Sequence, residues 1–329
     1  MSPRFGWKMS PGSFYRNRLG RPSRVEPEEP AAKAVAIALR SAAARLRKAA
    51  PRANAGEVEG VHNVRTSCRR LRSELRAFRD LVQRDWRERL EAELKWLGNA
   101  LGEVRDLDIL KERLQAAAAG GKEEEESRED LTEPLQPLFA WLDQRREAAA
   151  EAMRQALESE RFGSLAVSLQ EAIDAPPLRK RSRKPCRKVL PPLVEAVWRP
   201  LKKDARALGP RSPDERFHDV RKRAKRTRYT AELIAPALGR EAERRAHRFI
   251  KLTKTIQDVL GEHQDMTVAI AEVRDFLNQH PNDAELARAV DALLGRLHRS
   301  ADATRAAFFN VWPKLDRKRL RRWWKTSGS

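Results

Sequence analysis

The sequence predicts an all-α fold, on three observations. From Pro30 onward nearly every segment repeats its apolar residues at the 3.6-residue spacing of a helix, and no run alternates as a strand would. Ala, Leu, Glu, Arg and Lys dominate these segments, a helical composition. Breakers recur at Pro51, around Gly102, across 116–130, at Gly163, across 174–185, from Gly209 to Pro213, from Pro236 to Gly239, near Gly261 and at Pro281. Their spacing leaves helices of roughly 15 to 28 residues.

Taken in order, residues 1–29 are rich in Pro, Gly, Ser and Arg without periodicity and read as a basic, disordered N-terminal arm. Residues 30–174 read as a first helical bundle. Within it, Val61, Val64, Cys68, Leu71, Leu75, Phe78 and Val82 fall on one side of a helix and form a core stripe. Residues 175–186, "APPLRKRSRKPC", read as a basic Pro-rich linker, and residues 187–315 as a second bundle. There "SPDE" at 212–215 signals a helix start, with Ser212 as cap, Pro213 in the first helical position and Glu215 closing a capping box. Residues 316–329 form a basic tail with Trp323 and Trp324. Indoles in such a tail can meet bases or lipid headgroups, but packing on the bundle is the plainer reading.

The 329 residues carry Lys+Arg 68 against Asp+Glu 47, a formal net charge of +21. Such an excess favours an anionic partner: nucleic acid, acidic lipid or a phosphate polymer, and it argues against a small neutral metabolite. Cys68 and Cys186 form neither a disulfide framework nor a zinc spacing, which fits a reducing cytoplasm. The basic N-terminus lacks an apolar signal region, and no run approaches the ~18 apolar residues of a membrane span. A soluble cytoplasmic protein is expected.

The chain also matches itself. His62, Arg65, Arg69, Arg70 and Arg72 fall on His218, Arg221, Lys225, Arg226 and Arg228 at an offset of 156. "KWLGNALGEVRDLD" at 95–108 falls on "KTIQDVLGEHQDMT" at 254–267 at an offset of 159, pairing Lys95 with Lys254, Gly102 with Gly261 and Asp106 with Asp265. The second offset also pairs Arg40 with Arg199 and Arg47 with Arg206. This pattern is an internal duplication joined by the charged linker.

In each copy a basic stripe runs beside the core stripe: His62, Arg65, Arg69, Arg72 and Arg76, then His218, Arg221, Lys225 and Arg228. A solvated face with arginine stems draped over the core is the ordinary reading of such a run. Yet like charges at these spacings repel by roughly 0.2–0.5 kcal/mol per pair, and no acid lies on the stripe's line from 62 to 72 or from 218 to 228. Both copies accept that cost, which a bound polyanion removes. Arginine forks grip phosphate oxygens, lysine adds a compact charge, and a histidine beside phosphate is driven toward its doubly donating form.

The repeated H-x-x-R-x-x-x-[RK]-R-x-R motif, followed in both halves by L-G-x-x-x-D, resembles the CHAD family, the conserved histidine α-helical domain. The resemblance covers about residues 30–315. It implies two four-helix bundles related by a pseudo-twofold axis, with a basic central channel that binds inorganic polyphosphate. It also implies association with polyphosphate granules and their proteins. By position, it implies that His62, Arg65, Arg69, Arg72, Lys95, His218, Arg221, Lys225, Arg228 and Lys254 line that channel. Arg70 and Arg226 match the motif but sit about 80° from the stripe. Arg40, Arg47, Arg76, Arg199 and Arg206 are further candidate phosphate contacts.

No phosphate loop, nucleophile elbow or duplicated carboxylate cluster is present, so neither catalysis, metal nor cofactor is expected. Asp106 and Asp265 fit better as partners of arginines than as catalytic groups. The competing reading is a sequence-indifferent nucleic-acid-binding helical protein. A duplex, however, needs a convex surface or a helix seated in a major groove about 12 Å wide, which a narrow channel cannot offer.

Overall fold

A computed structural model describes residues 25–55, 57–120, 129–280 and 283–325. Most of the expected arm and the last four tail residues lie outside the described residues. The chain folds as α1 (Ala31–Asn54), α2 (Val58–Ala77), α3 (Arg84–Ala100), α4 (Gly102–Ala118), α5 (Gln136–Glu158) and α6 (Glu160–Asp174), followed by α7 (Cys186–Arg206), α8 (Asp214–Ile234), α9 (Arg240–Asn278), α10 (Ala284–Leu315) and the short α11 (Arg322–Lys325). Among the described residues there is no strand, only isolated bridges at Pro30–Pro185 and Val82–Leu178. No helix is long and apolar enough to cross a membrane.

Three expected breaks lie inside helices. Pro51 occupies the last turn of α1, where the helix ends a few residues later. Gly163 falls in the first turn of α6, whose start is fixed by Ser159: its hydroxyl accepts from the Phe162 N–H at 3.3 Å. Gly261 leaves α9 unbroken through 39 residues, because Leu260, His263 and Met266 around it are all buried and tertiary packing outweighs glycine's propensity cost. The "SPDE" start also resolves differently. Pro213 is the N-cap, and the Ser212 hydroxyl instead accepts from the Gly209 N–H at 2.9 Å.

Two cores organise the helices. The first joins α1, α2 and α3 with α7, α8, the beginning of α9 and the chain's end. The second joins α4 and α5 with the later part of α9 and the beginning of α10. Each core therefore draws helices from both sequence halves, and the halves are fused through shared apolar surface.

Residues 175–186 are laid along the molecule rather than standing free of it. The Gln83 N–H donates to the Pro177 carbonyl and the Arg179 N–H to the Leu81 carbonyl, both at 2.8 Å. Just before α1, Val25 is buried, and the Cys186 N–H donates to the Glu29 carbonyl at 2.9 Å. In the tail, Trp323 and Trp324 are buried, within a cluster that includes Trp198 and Phe249. The Trp324 indole N–H donates to Glu195 at 2.9 Å. The tail tryptophans thus pack on the bundle, as the plainer reading has it.

Candidate functional site

α2 and α8 pack directly on one another, and this contact brings the two copies of the motif together. Val61, Val64, Cys68, Leu71, Leu75, Phe78 and Val82 are all buried, as are Phe217, Val220, Ala224, Thr227, Ala231 and Ile234. With those stripes turned inward, the adjacent positions must lie at the border of the core. Arg65, Arg72, His218, Arg221, Lys225 and Arg228 are half-buried there, while His62, Arg69 and Arg76 are more exposed.

Lys225 marks the centre of the cluster. Burial, followed by the cations of Arg69, Arg221, Arg65 and Arg228, depresses its pKa to about 7. Two of these guanidinium groups come from α2 and two from α8. His218 lies below the ordinary histidine range through burial and Lys222, with a Gln264 hydrogen bond and then Asp219 acting in the opposite sense and Arg221 adding to the depression. Burial also lowers Arg72, helped by Arg76. The buried Nε–H groups of Arg72 and Arg221, and Nδ1 of His218, have no hydrogen-bond partner among the described residues, while that of Arg228 faces Glu232 at 3.6 Å. Unsatisfied buried donors are costly, so this border is poised for acceptors.

The second motif supplies the backing. A Cβ at Gly102 would lie 3.5 Å from Arg65 Nε, and one at Gly261 would lie 3.6 Å from Arg221 Nε. The first arginine of each motif copy therefore rests against the glycine of the same half. Arg65 Nη2 donates to Asp106 at 2.6 Å. Asp265, raised by burial, instead takes Arg113 at 2.9 Å, with Arg221 acting on it at longer range. Both aspartates are thus paired with arginine. Asp108 is paired too, accepting from Arg146 Nε at 2.6 Å.

The remaining sequence candidates disperse. Arg226 is depressed by burial and by Arg76, Arg223 and Arg79, which puts it opposite the end of α2 and extends the cationic border. Arg79 was not singled out by the motif, yet it follows Arg76 by three residues and continues the same spacing. Arg70 lies on another side, at 3.3 Å from Glu74, which also binds Arg45 of α1. Lys254 is exposed and donates to Asp258 at 2.5 Å, while Lys95, Arg40 and Arg47 are exposed. Arg199 and Arg206 line a separate groove with the C-terminal segment, where Arg206 pairs with Asp316 at 2.6 Å.

Neither cysteine is activated as a thiolate. Burial pushes the Cys68 thiol up to about 12 and Cys186 up to about 11. Among the described residues, no group of three or more His, Cys, Asp or Glu could hold a metal ion. The arrangement is chemically suited to holding a flexible chain of negative charge.

Comparisons with known proteins agree with the all-α fold. A family model described as the CHAD domain matches residues 37–274. The uncharacterized proteins MT2285 and Rv2226 of two Mycobacterium tuberculosis strains are 29% and 28% identical over 225 residues, 64% of this chain. The chain spans only 39% of the length of these curated relatives. Two solved structures share the fold. PptA from Streptomyces chartreusis aligns with a TM-score of 0.72 at 22% identity, covering 87% of this chain and 100% of that one. The CHAD domain from the plant Ricinus communis aligns at 0.67 and 23% identity, covering 88% and 95% respectively. The chain belongs to the CHAD domain family, of which polyphosphate binding is a known property.

Proposed function

We propose that this chain binds inorganic polyphosphate, without hydrolysing it, in a basic channel where the duplicated halves 30–174 and 187–315 meet at α2 and α8. The observation that carries the proposal is the packing of α2 on α8, which brings Arg65 and Arg69 against Arg221, Lys225 and Arg228; burial and these cations push the Lys225 ammonium down to about 7. A protein that concentrates cations against one another in this way gains most from a ligand with closely spaced negative charges. Family membership supports the same chemistry. The matching seats of Arg65 on Gly102 and Arg221 on Gly261 support a duplicated, two-sided site.

Arg65, Arg69, Arg72, Arg221, Lys225 and Arg228 form the principal lining, extended by Arg76 and Arg226. His62 and His218 act as donors near the helix starts, and Lys95 and Lys254 act at the periphery. In the cell, this binding places the protein on cytoplasmic polyphosphate granules, alongside granule proteins.

The test is a competition titration of labelled polyphosphate against duplex DNA and ATP at two salt concentrations. If six to ten phosphates are neutralised, affinity should fall by about 10³-fold or more between roughly 50 and 200 mM salt. Neither competitor should displace the chain at matched phosphate concentration. Displacement by duplex DNA would favour the nucleic-acid reading instead.

A further inference from the structure

A second strongly basic feature lies on the far side of α7. A groove of about 730 Å³ runs between α7 and the C-terminal segment 318–325. α7 contributes Arg199, Lys202, Lys203 and Arg206, and the segment contributes four more cations. Glu195 is the acid on its lining, and it is already engaged by the Trp324 indole and by Arg199 Nε at 3.0 Å.

Arg321 gives the groove a built interior. Its side chain is 9% exposed, and its Nε–H has no hydrogen-bond partner among the described residues. Asp316 Oδ1 lies 3.9 Å from its Nη1, an ion pair beyond hydrogen-bond distance, while Asp316 Oδ2 accepts from Arg206 Nε at 2.6 Å. The guanidinium instead sits 5.4 Å from the centroid of the Trp198 ring, at the base of the groove. With one carboxylate shared between Arg206 and Arg321 and further cations around it, the groove carries an excess of positive charge that a bound anion would offset.

The groove is physically separate from the α2–α8 border. On its opposite side α7 holds α8: the Thr227 hydroxyl donates to the Val197 carbonyl at 3.2 Å, and Asp204 pairs with Arg223. A helix about 10 Å in diameter therefore stands between the two cationic surfaces.

We infer that this outer groove is a second, independent binding site for a linear phosphate oligoanion. Arg199 and Arg206 already have Glu195 and Asp316 as partners; a single phosphate would still leave most of the groove's lysines, Lys202, Lys203, Lys318 and Lys325, without a bound anion, whereas several linked phosphates would reach them along the face of α7. Single-stranded nucleic acid fits less well, because binding of that kind uses exposed aromatic faces for stacking. The tryptophans here, Trp198, Trp323 and Trp324, are all buried. The inference does not depend on the reading of the α2–α8 border.

Isothermal titration of the whole chain with a short polyphosphate of defined length tests it, in three forms of the protein. The wild type should bind two equivalents. The variant Lys202→Glu/Lys203→Glu/Lys318→Glu, altered at solvent-reaching positions, should bind one. The variant Arg65→Ala/Arg69→Ala/Arg221→Ala/Lys225→Ala should also bind one, through the groove. Circular dichroism of each variant establishes that it is folded, and Lys203→Gln/Lys318→Gln serves as a milder form that should weaken the second equivalent at least about tenfold. A wild type that saturates at one equivalent, unchanged by the groove substitutions, would overturn the inference. So would displacement from the groove by a single-stranded oligonucleotide at equal phosphate concentration, which would make it a nucleic-acid site. Failure at the α2–α8 border looks different: the alanine variant would then match the wild type while the groove variant alone lost binding.

Discussion

Replacing Arg65, Arg69, Arg221 and Lys225 together with alanine should lower polyphosphate affinity at the α2–α8 border by at least about a thousandfold. The measurement is best made with the three groove lysines already reversed. Each charge-assisted hydrogen bond lost contributes about 1.5–3 kcal/mol, which is roughly tenfold or more in binding. Because the four groups form one cluster, their effects are not additive, and the loss falls below the simple product. The fold should survive. The substitutions remove like charges from a crowded, half-buried border, and the Arg65–Asp106 pair they delete has a largely exposed carboxylate, worth at most about 1 kcal/mol. Unchanged helical circular dichroism with lost binding is the expected pair of results. Binding within tenfold of the parent would remove these residues from the site.

The second large effect is a pH dependence centred on Lys225. In the ligand-free fold this lysine titrates near 7, against 10.5 as its ordinary value. Between those values the unfolded chain holds a proton that the folded chain lacks, so folding stability rises with pH across that window. Below about pH 7 both states are protonated and the penalty is constant. A polyanion reverses the preference by stabilising the ammonium. Binding should therefore take up a proton above pH 7, and affinity should fall by up to about tenfold per pH unit as pH rises from 7 toward 9. The charged groups acting on Lys225 are Arg69 and Arg65 of α2 and Arg221 and Arg228 of α8. Lys225→Met should flatten the slope, weaken binding and raise the ligand-free melting temperature by about 2 °C or more. Titrations in buffers of different ionisation enthalpy report the proton uptake directly. A wild-type affinity independent of pH from 7 to 9 would contradict this assignment.

The candidate site was legible in the sequence where it depends on helical period. The stripe from Val61 to Val82 and its counterpart from Phe217 to Ile234 are buried because a 3.6-residue repeat leaves a helix few ways to face a core. His62 to Arg76 and His218 to Arg228 then follow as the border. Features set by long-range packing were not legible. Gly261 reads as a helix breaker, but in α9 burial on both sides carries the helix through. Arg226 was set apart by its angle on α8, and only the crossing with α2 brings it opposite Arg76 and Arg79. Arg199 and Arg206 were aligned with Arg40 and Arg47 by offset alone. In the folded chain they face a groove that exists because Trp323 and Trp324 pin the C-terminus to α7 and α9. The repeated motif fixes residue types at matching positions, but the tail has no counterpart in the first half to signal where it docks.

The most direct test of polyphosphate binding between the two motif copies is a crystal structure of the chain with a short polyphosphate bound. The chain's phosphates should lie where α2 meets α8, within hydrogen-bond reach of Arg65, Arg69, Arg221 and Lys225. Phosphates seen in the outer groove alone, with the α2–α8 border vacant at saturating ligand, would contradict it.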